Sequence, residues 1–247
     1  MFILFTDFGP AGPYLGQMKS VLTTAAPDIP IIDLLSNAPS FAPRPSAYLL
    51  AALVSDFPSG AIFLGIVDPG VGGDRAPIIL KADDQWFVGP ANGLFEIIGR
   101  RAKTCDTWRI TYEPEHQSAS FHGRDLFAPV AAMIAHEEPV PGVLLSSKDF
   151  RQPDWPDDLP EIIYMDHFGN AMTGLRAAGL PPGTVLEAAG QRLSRARVFS
   201  DVETGTMFWY ENANGLAEIA VNQGRADQIG LTVGMPVSLL PATEAVR

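Results

Sequence analysis

Cysteine is almost absent: Cys105 is the single one in 247 residues. One thiol excludes an internal disulfide and any zinc cluster built from cysteine pairs. Histidine is also scarce. His116, His122, His136 and His167 show no His-x-x-x-His or His-Glu-x-x-His spacing, so no metal site is expected. Basic residues are few, 17 against 28 acids, for a net charge of −11. The densest basic groups are Arg100-Arg101 and the trio Arg192, Arg195 and Arg197. They are too short for the stripe that phosphate neutralisation needs, which argues against a nucleic-acid partner. A cationic substrate suits this field better than an anionic one. No apolar run reaches the roughly 18 residues of a membrane span. Met1–Asp7 carries no basic leader, so no membrane partner and a reduced cytoplasm are expected. Three signatures are missing too: Gly-x-Gly-x-x-Gly after the first strand, the Gly-Lys-Ser/Thr end of a phosphate loop, and the Gly-x-Ser-x-Gly elbow of a serine hydrolase.

The chain does have the means for a large core, being 47% hydrophobic. Its 23 glycines and 22 prolines read as many tight loops. In the first half, strand-like and helix-like segments alternate. Phe2–Phe5, Ile29–Leu35, Ala61–Val67 and Ile78–Ala82 read as strands, with a short apolar Trp86–Val88. Tyr14–Ala25, Ser46–Ser55, Leu94–Arg101 and Leu126–His136 read as helices, and Gly89–Gly93 as a turn. This alternation predicts an α/β domain with a mostly parallel sheet over residues 1–150. A Pro/Asp-rich linker follows at 151–160. Residues 161–247 carry short strand signals at Glu161–Met165, Thr184–Ala188, Thr206–Tyr210, Ala217–Val221 and Pro236–Leu240, which predict a small antiparallel β-barrel domain.

Ile66 to Arg75 places an acid, Asp68, and a guanidinium, Arg75, on one glycine-rich loop directly after a buried strand. The C-terminal ends of strands are where open α/β sheets place ligand chemistry. A second polar cluster, Phe121-His122-Gly123-Arg124-Asp125, also precedes an apolar run. Asp, Arg and His together are able to hold and deprotonate a water; an Asp–Arg pair bridging loops and a structural histidine are the plain alternatives. Asp7 ends the first strand, where a carboxylate either accepts from vicinal hydroxyls or serves as a turn or helix-cap acid. In Asp166-His167-Phe168-Gly169-Asn170, Phe168 offers an aromatic plane and Asn170 an amide, a pairing that suits a purine ring. A β-turn with a core aromatic is the other reading.

These segments, with Tyr14–Lys19, Gly89–Leu94 and Gly215–Asn222, run in the order of the S-adenosylmethionine hydrolase (adenosine-forming, or S-adenosylmethionine hydroxide adenosyltransferase) family, which the chain resembles over nearly its whole length. That family is related to the fluorinating and chlorinating enzymes. The resemblance implies hydrolysis of S-adenosyl-L-methionine to adenosine and L-methionine by water attacking C5′, with no cofactor. It implies a homotrimer with active sites between subunits. It assigns catalysis to Asp68, Arg75 and His122, and the ribose hydroxyls to Asp7. Phe41 and Phe168 would flank the adenine, Asn170 and the backbone near Val221 and Gln223 would read its edge, and Asp166 would take the methionine ammonium. The chain departs from the family pattern at Gly12, at 37–45, and at Ala213 and Asn214, which replace polar residues of the halogenating relatives. Asp68 repels a halide and Gly123 stands at the halide position, so hydroxide is favoured over halogenation. The rivals are a halogenase, a non-catalytic adenosine or S-adenosylmethionine sensor, and a hydrolase for another 5′-substituted adenosine.

Overall fold

Residues 1–146, 149 and 151–240 are described by a computed structural model. The chain divides into two compact units, Met1–Pro153 and a second beginning at Asp154.

The first unit runs β1 (Phe2–Thr6), α1 (Pro13–Ala25), β2 (Ile31–Leu35), α2 (Pro43–Leu53), β3 (Ile62–Ile66), β4 (Pro77–Ala82), β5 (Gln85–Pro90), α3 (Glu96–Arg101), β6 (Cys105–Ile110), α4 (Ala128–Ala135) and β7 (Gly142–Leu144). Its strands form one sheet in the order β2-β1-β3-β5-β4-β6-β7. β2, β1, β3 and β5 pair in parallel, whereas β4 is antiparallel to both β5 and β6, and β7 to β6. Most strands therefore share one direction, with β4 and β7 opposed.

β1 and β3 are buried at every position because helices cover both faces, so alternation is absent from their sequences. Alternate residues Phe2, Leu4, Ile62, Leu64 and Ile66 pack with Met18 and Leu22 of α1 and with Val130, Ala131 and Ile134 of α4. Prolines set the starts of α1 and α2, where a missing amide costs nothing. The first turn of the helical run after His122 is widened: Ala128 donates to the Gly123 carbonyl five residues back. Pro129 has no amide to give the carbonyl four residues before it, which permits the wide turn.

Several boundaries differ from the sequence reading. Gly89 and Pro90 belong to β5 rather than to a turn. There, a Cβ on Gly89 would lie 2.2 Å from the Gly65 carbonyl oxygen, so bare backbone is what lets β5 approach β3. α3 begins at Glu96, two residues late, and α2 at Pro43, three residues early. β6, β7, β9 and β11 are additions to the sequence reading. β6 mixes Asp106 and Arg109 with apolar residues, which hides its pattern.

The second unit contains β8 (Leu159–Met165), β9 (Ala171–Arg176), β10 (Val185–Ala188), β11 (Gln191–Leu193), β12 (Met207–Glu211), β13 (Leu216–Val221) and β14 (Ser238–Leu240). They form two antiparallel sheets, β12-β13-β9-β8 and β11-β10-β14. Isolated bridges, Glu161 with Pro236 and Arg195 with Trp209, link their edges. In place of the continuous ladder expected of a barrel, two sheets enclose one core around Ile162, Leu186, Trp209 and Ile219. Pro236 brings no amide to its junction, which interrupts pairing there.

Gly89→Ala is expected to lower unfolding stability by about 2 kcal/mol or more, because the new methyl meets backbone that cannot move aside. An unchanged denaturant midpoint would contradict this close-approach account.

Candidate active site

The parallel register of β1 and β3 pairs Thr6 with Ile66. Asp7 and Asp68 therefore leave the sheet at the same end, one position apart in register. Asn92 fixes the exit of β3 by donating from Nδ2 to the Val67 carbonyl at 2.8 Å.

Asp68 and Arg75 form a nearly buried ion pair, their side chains 5% and 11% exposed. Arg75 Nε lies 3.1 and 2.9 Å from the two carboxylate oxygens of Asp68, and Nη2 lies 2.6 Å from Oδ2. Nη2 also donates to His122 Nδ1 at 2.8 Å. The guanidinium rests 5.6 Å from the ring centroid of Phe127, which holds its plane. Because a guanidinium only donates, His122 Nδ1 accepts; the ring is neutral and carries its hydrogen on Nε2. Burial, and then the charge of Arg75, push the His122 pKa below its usual value.

The two loops meet closely. Gly72 sits at φ 78, and a Cβ there would be 2.3 Å from the Ala119 carbonyl oxygen. Asp125 accepts from the Ser118 amide at 2.8 Å and pairs with Arg124, which ties down the segment leading to His122.

A cavity of about 280 Å³ is lined by Asp7, Phe8, Tyr14, Phe41, Asp68, His122 and Gly123, among others. Arg75 stands behind Asp68 and His122 and does not line it. Asp7 is no helix cap: the residue at the start of α1 is Gly12, with no side-chain cap bond. Instead its Oδ2 accepts from the Phe41 amide at 3.0 Å. Burial pushes the Asp7 pKa up, the Phe41 amide opposes this, and Asp68 adds to the rise. Phe41 has φ 58, a left-handed conformation costly for a bulky residue, and is 78% exposed at the cavity mouth.

The second unit holds its own cavity of about 580 Å³, lined by Asp166, Phe168, Asn170, Tyr210, Glu218, Val221 and Gln223, with Ala213 and Asn214. Phe168 is 72% exposed and so is not a core aromatic. Asp166 accepts from the Asn170 amide at 2.7 Å and from its Nδ2 at 3.0 Å. Gln223 sits at φ 55, turning the chain just after β13.

The predicted residues thus fall into two groups: Asp7, Phe41, Asp68, Arg75 and His122 in the first unit, and Asp166, Phe168, Asn170, Val221 and Gln223 in the second. The sequence reading passed over Tyr14, Phe8 and Phe121, whose rings meet edge-on at 5.3 to 6.1 Å beside Asp68. It also passed over Tyr210, Asn212 and Glu218. Glu218 is 2% exposed within a buried strand, and an acid inside so apolar a run was the available signal. Burial pushes its pKa up, opposed by hydrogen bonds from Tyr210 and Asn212. Tyr210 is pushed up as well, first by burial and then by Glu218. Among the described residues, no three of His, Cys, Asp and Glu gather as a metal site, and no helix is long and apolar enough to cross a membrane.

Family models for the SAM hydroxide adenosyltransferase N-terminal and C-terminal domains match residues 2–143 and 160–238. This chain belongs to the SAM hydroxide adenosyltransferase family. It is 37% identical to an (R)-S-adenosyl-L-methionine hydrolase of Thermus thermophilus, over 95% of this chain and 97% of that one. A protein of the same name from Salinispora arenicola is 35% identical, covering 93% of each. Among solved structures, an uncharacterized conserved protein from Thermotoga maritima superposes with a TM-score of 0.85 at 28% identity, over 98% of this chain and 100% of that one. A conserved hypothetical protein from Thermus thermophilus gives 0.78 at 35%, over 97% and 99%.

A proton on His122 Nδ1 would break its bond from Arg75. The depressed pKa means that the neutral form contributes stability in full above the ordinary value near 6.5. That contribution is lost as pH falls through the lower folded value. Nitrogen-15 NMR should show His122 unprotonated at Nδ1 at neutral pH and titrating below about 6.5. A midpoint at or above that value would contradict the arrangement.

Proposed function

We propose that this chain hydrolyses S-adenosyl-L-methionine, in the (R) sulfonium form for which its relatives are named, to adenosine and L-methionine. The observation that carries the proposal is Asp68, held by Arg75 beside neutral His122, at the wall of a cavity that Asp7 also lines.

The sulfonium is already a good leaving group, so the enzyme needs no acid to expel it. Its task is to hold water behind C5′. Asp68 accepts one hydrogen of that water and draws its proton as the O–C5′ bond forms. The C5′–S bond breaks at the same time, and its electron pair stays on sulfur as the thioether of methionine. His122 has only Nε2–H to give, so in this reading it donates to the water oxygen or an adjacent hydroxyl and does not act as the base. Arg75 works through the other two as a positioning residue, because it stands behind the cavity wall. Positioning of this kind supplies roughly 7–11 kcal/mol in favourable cases, and a placed base about 10²–10⁴-fold.

Asp7 takes the ribose hydroxyls and Phe41 packs on the nucleoside. In the second unit Phe168 stacks on adenine, Asn170 and the backbone near Val221 and Gln223 read its edge, and Asp166 takes the methionine ammonium. Residues 1–150 act as the catalytic domain, 151–160 as the linker, and the sheets from 161 onward as a barrel-like adenine domain. In a homotrimer, one protomer's catalytic domain would meet its neighbour's adenine domain; the setting is the reduced cytoplasm. Halogenation is disfavoured, since the Asp68 carboxylate occupies the cavity wall where a halide would have to approach C5′.

Purified protein given the (R) epimer should release adenosine and methionine, faster than with the (S) epimer and with no 5′-halo product in chloride or fluoride. Asp68→Asn keeps the acceptor that faces Arg75 and should lower kcat by about 10²–10⁴-fold with adenosine affinity unchanged. Full activity in that variant would remove Asp68 from the chemistry.

A further inference from the structure

Two carboxylates, Asp7 and Asp68, line the first-unit cavity, and no cationic side chain does, because Arg75 stands behind its wall. Three rings line it as well. Phe8, Tyr14 and Phe121 meet edge to face, with centroids 6.1 Å apart for Phe8 and Tyr14, 5.9 Å for Phe8 and Phe121, and 5.3 Å for Tyr14 and Phe121. Acid charge joined to aromatic surface is the combination that attracts an alkylated cation.

Of the three rings, Tyr14 has the surface to offer. Phe121 is 9% exposed and already carries the Arg124 guanidinium 5.1 Å from its centroid. Phe8 packs on the core. Tyr14 is 51% exposed, so folding uses only half of it. It follows Pro13 in the first turn of α1, and its two aromatic neighbours hold the plane of its ring. The other exposed ring of the cavity, Phe41, bonds Asp7 through its amide and so belongs with the ribose. In-line attack by the water on Asp68 places sulfur across C5′ from that acid, and Tyr14 is the exposed ring left to receive it.

We infer that Tyr14 binds the sulfonium, held in place by Phe8 and Phe121, so that this cavity selects a charged sulfur with three carbon substituents over a neutral thioether. The inference rests on the proposed hydrolase reading for the substrate and for the side of attack. The contact serves affinity rather than rate. Charge leaves sulfur as the C5′–S bond breaks, so the ring attracts the bound substrate at least as strongly as the transition state. It also favours product release, since the thioether of methionine is neutral.

Steady-state kinetics on the full chain, with S-adenosyl-L-homocysteine as competing inhibitor, test this. That compound keeps the adenosine and the amino acid but has a neutral sulfur. Wild type should show an inhibition constant about tenfold or more above KM. Tyr14→Leu should raise KM about tenfold, hold kcat, and leave the inhibition constant in place. Tyr14→Phe, which keeps the ring, should restore the wild-type KM. A merely structural role for Tyr14 would weaken both ligands alike or lower kcat. Either result, or a folded Y14L protein that keeps the wild-type preference, overturns the inference and leaves the hydrolase reading standing. If Y14L does not fold, Tyr14→Met repeats the test. If neither folds, wild type decides: the tenfold preference supports the inference, and equal affinities overturn it. Wild type that releases no adenosine ends the hydrolase reading, and calorimetry with the same two compounds then decides the inference by the same preference.

Discussion

Arg75 divides the two hydrogens of one nitrogen between two partners, and that division organises the first-unit site. One nitrogen, Nη2, gives one hydrogen to Asp68 and the other to His122. Asp68 is thereby kept in place as an acceptor, and His122 is kept neutral with Nε2–H outward. The pair is almost fully buried, where leaving either charge alone would cost about 3–5 kcal/mol. The guanidinium thus orders two groups it stands behind, both of which line the cavity.

The scaffold serves that arrangement at three points. The β1–β3 register brings Asp7 and Asp68 out of the same end of the sheet. Asn92 pins the carbonyl just before Asp68. Gly72 lets the acid-bearing loop touch the loop that leads to His122. In the second unit, Asp166 holds Asn170 in a similar way, accepting from both its backbone and its side-chain amide.

Much of this was legible in the chain. The apolar runs of β1 and β3, ending in Asp7 and Asp68, placed both acids at strand ends, and the order of motifs pointed to the family now matched by two domain models. What was hidden depends on long-range pairing. β5 absorbs Gly89 and Pro90 because Gly65 lies beside it, a contact 24 residues away in sequence. β9 carries Gly174, whose missing Cβ admits Leu159, and a glycine inside a strand weakens its local signal. Tyr14 and Phe121 look like core residues until their shared cavity is seen.

The central claim is that water, held by Asp68, attacks C5′ and that sulfur leaves with the bonding pair. Turnover of (R)-S-adenosyl-L-methionine in oxygen-18 water, with products read by mass spectrometry, tests it most directly. The account predicts one heavy oxygen in adenosine, at the 5′ position, and none in methionine. Unlabelled adenosine, or methylthioadenosine in its place, would contradict it.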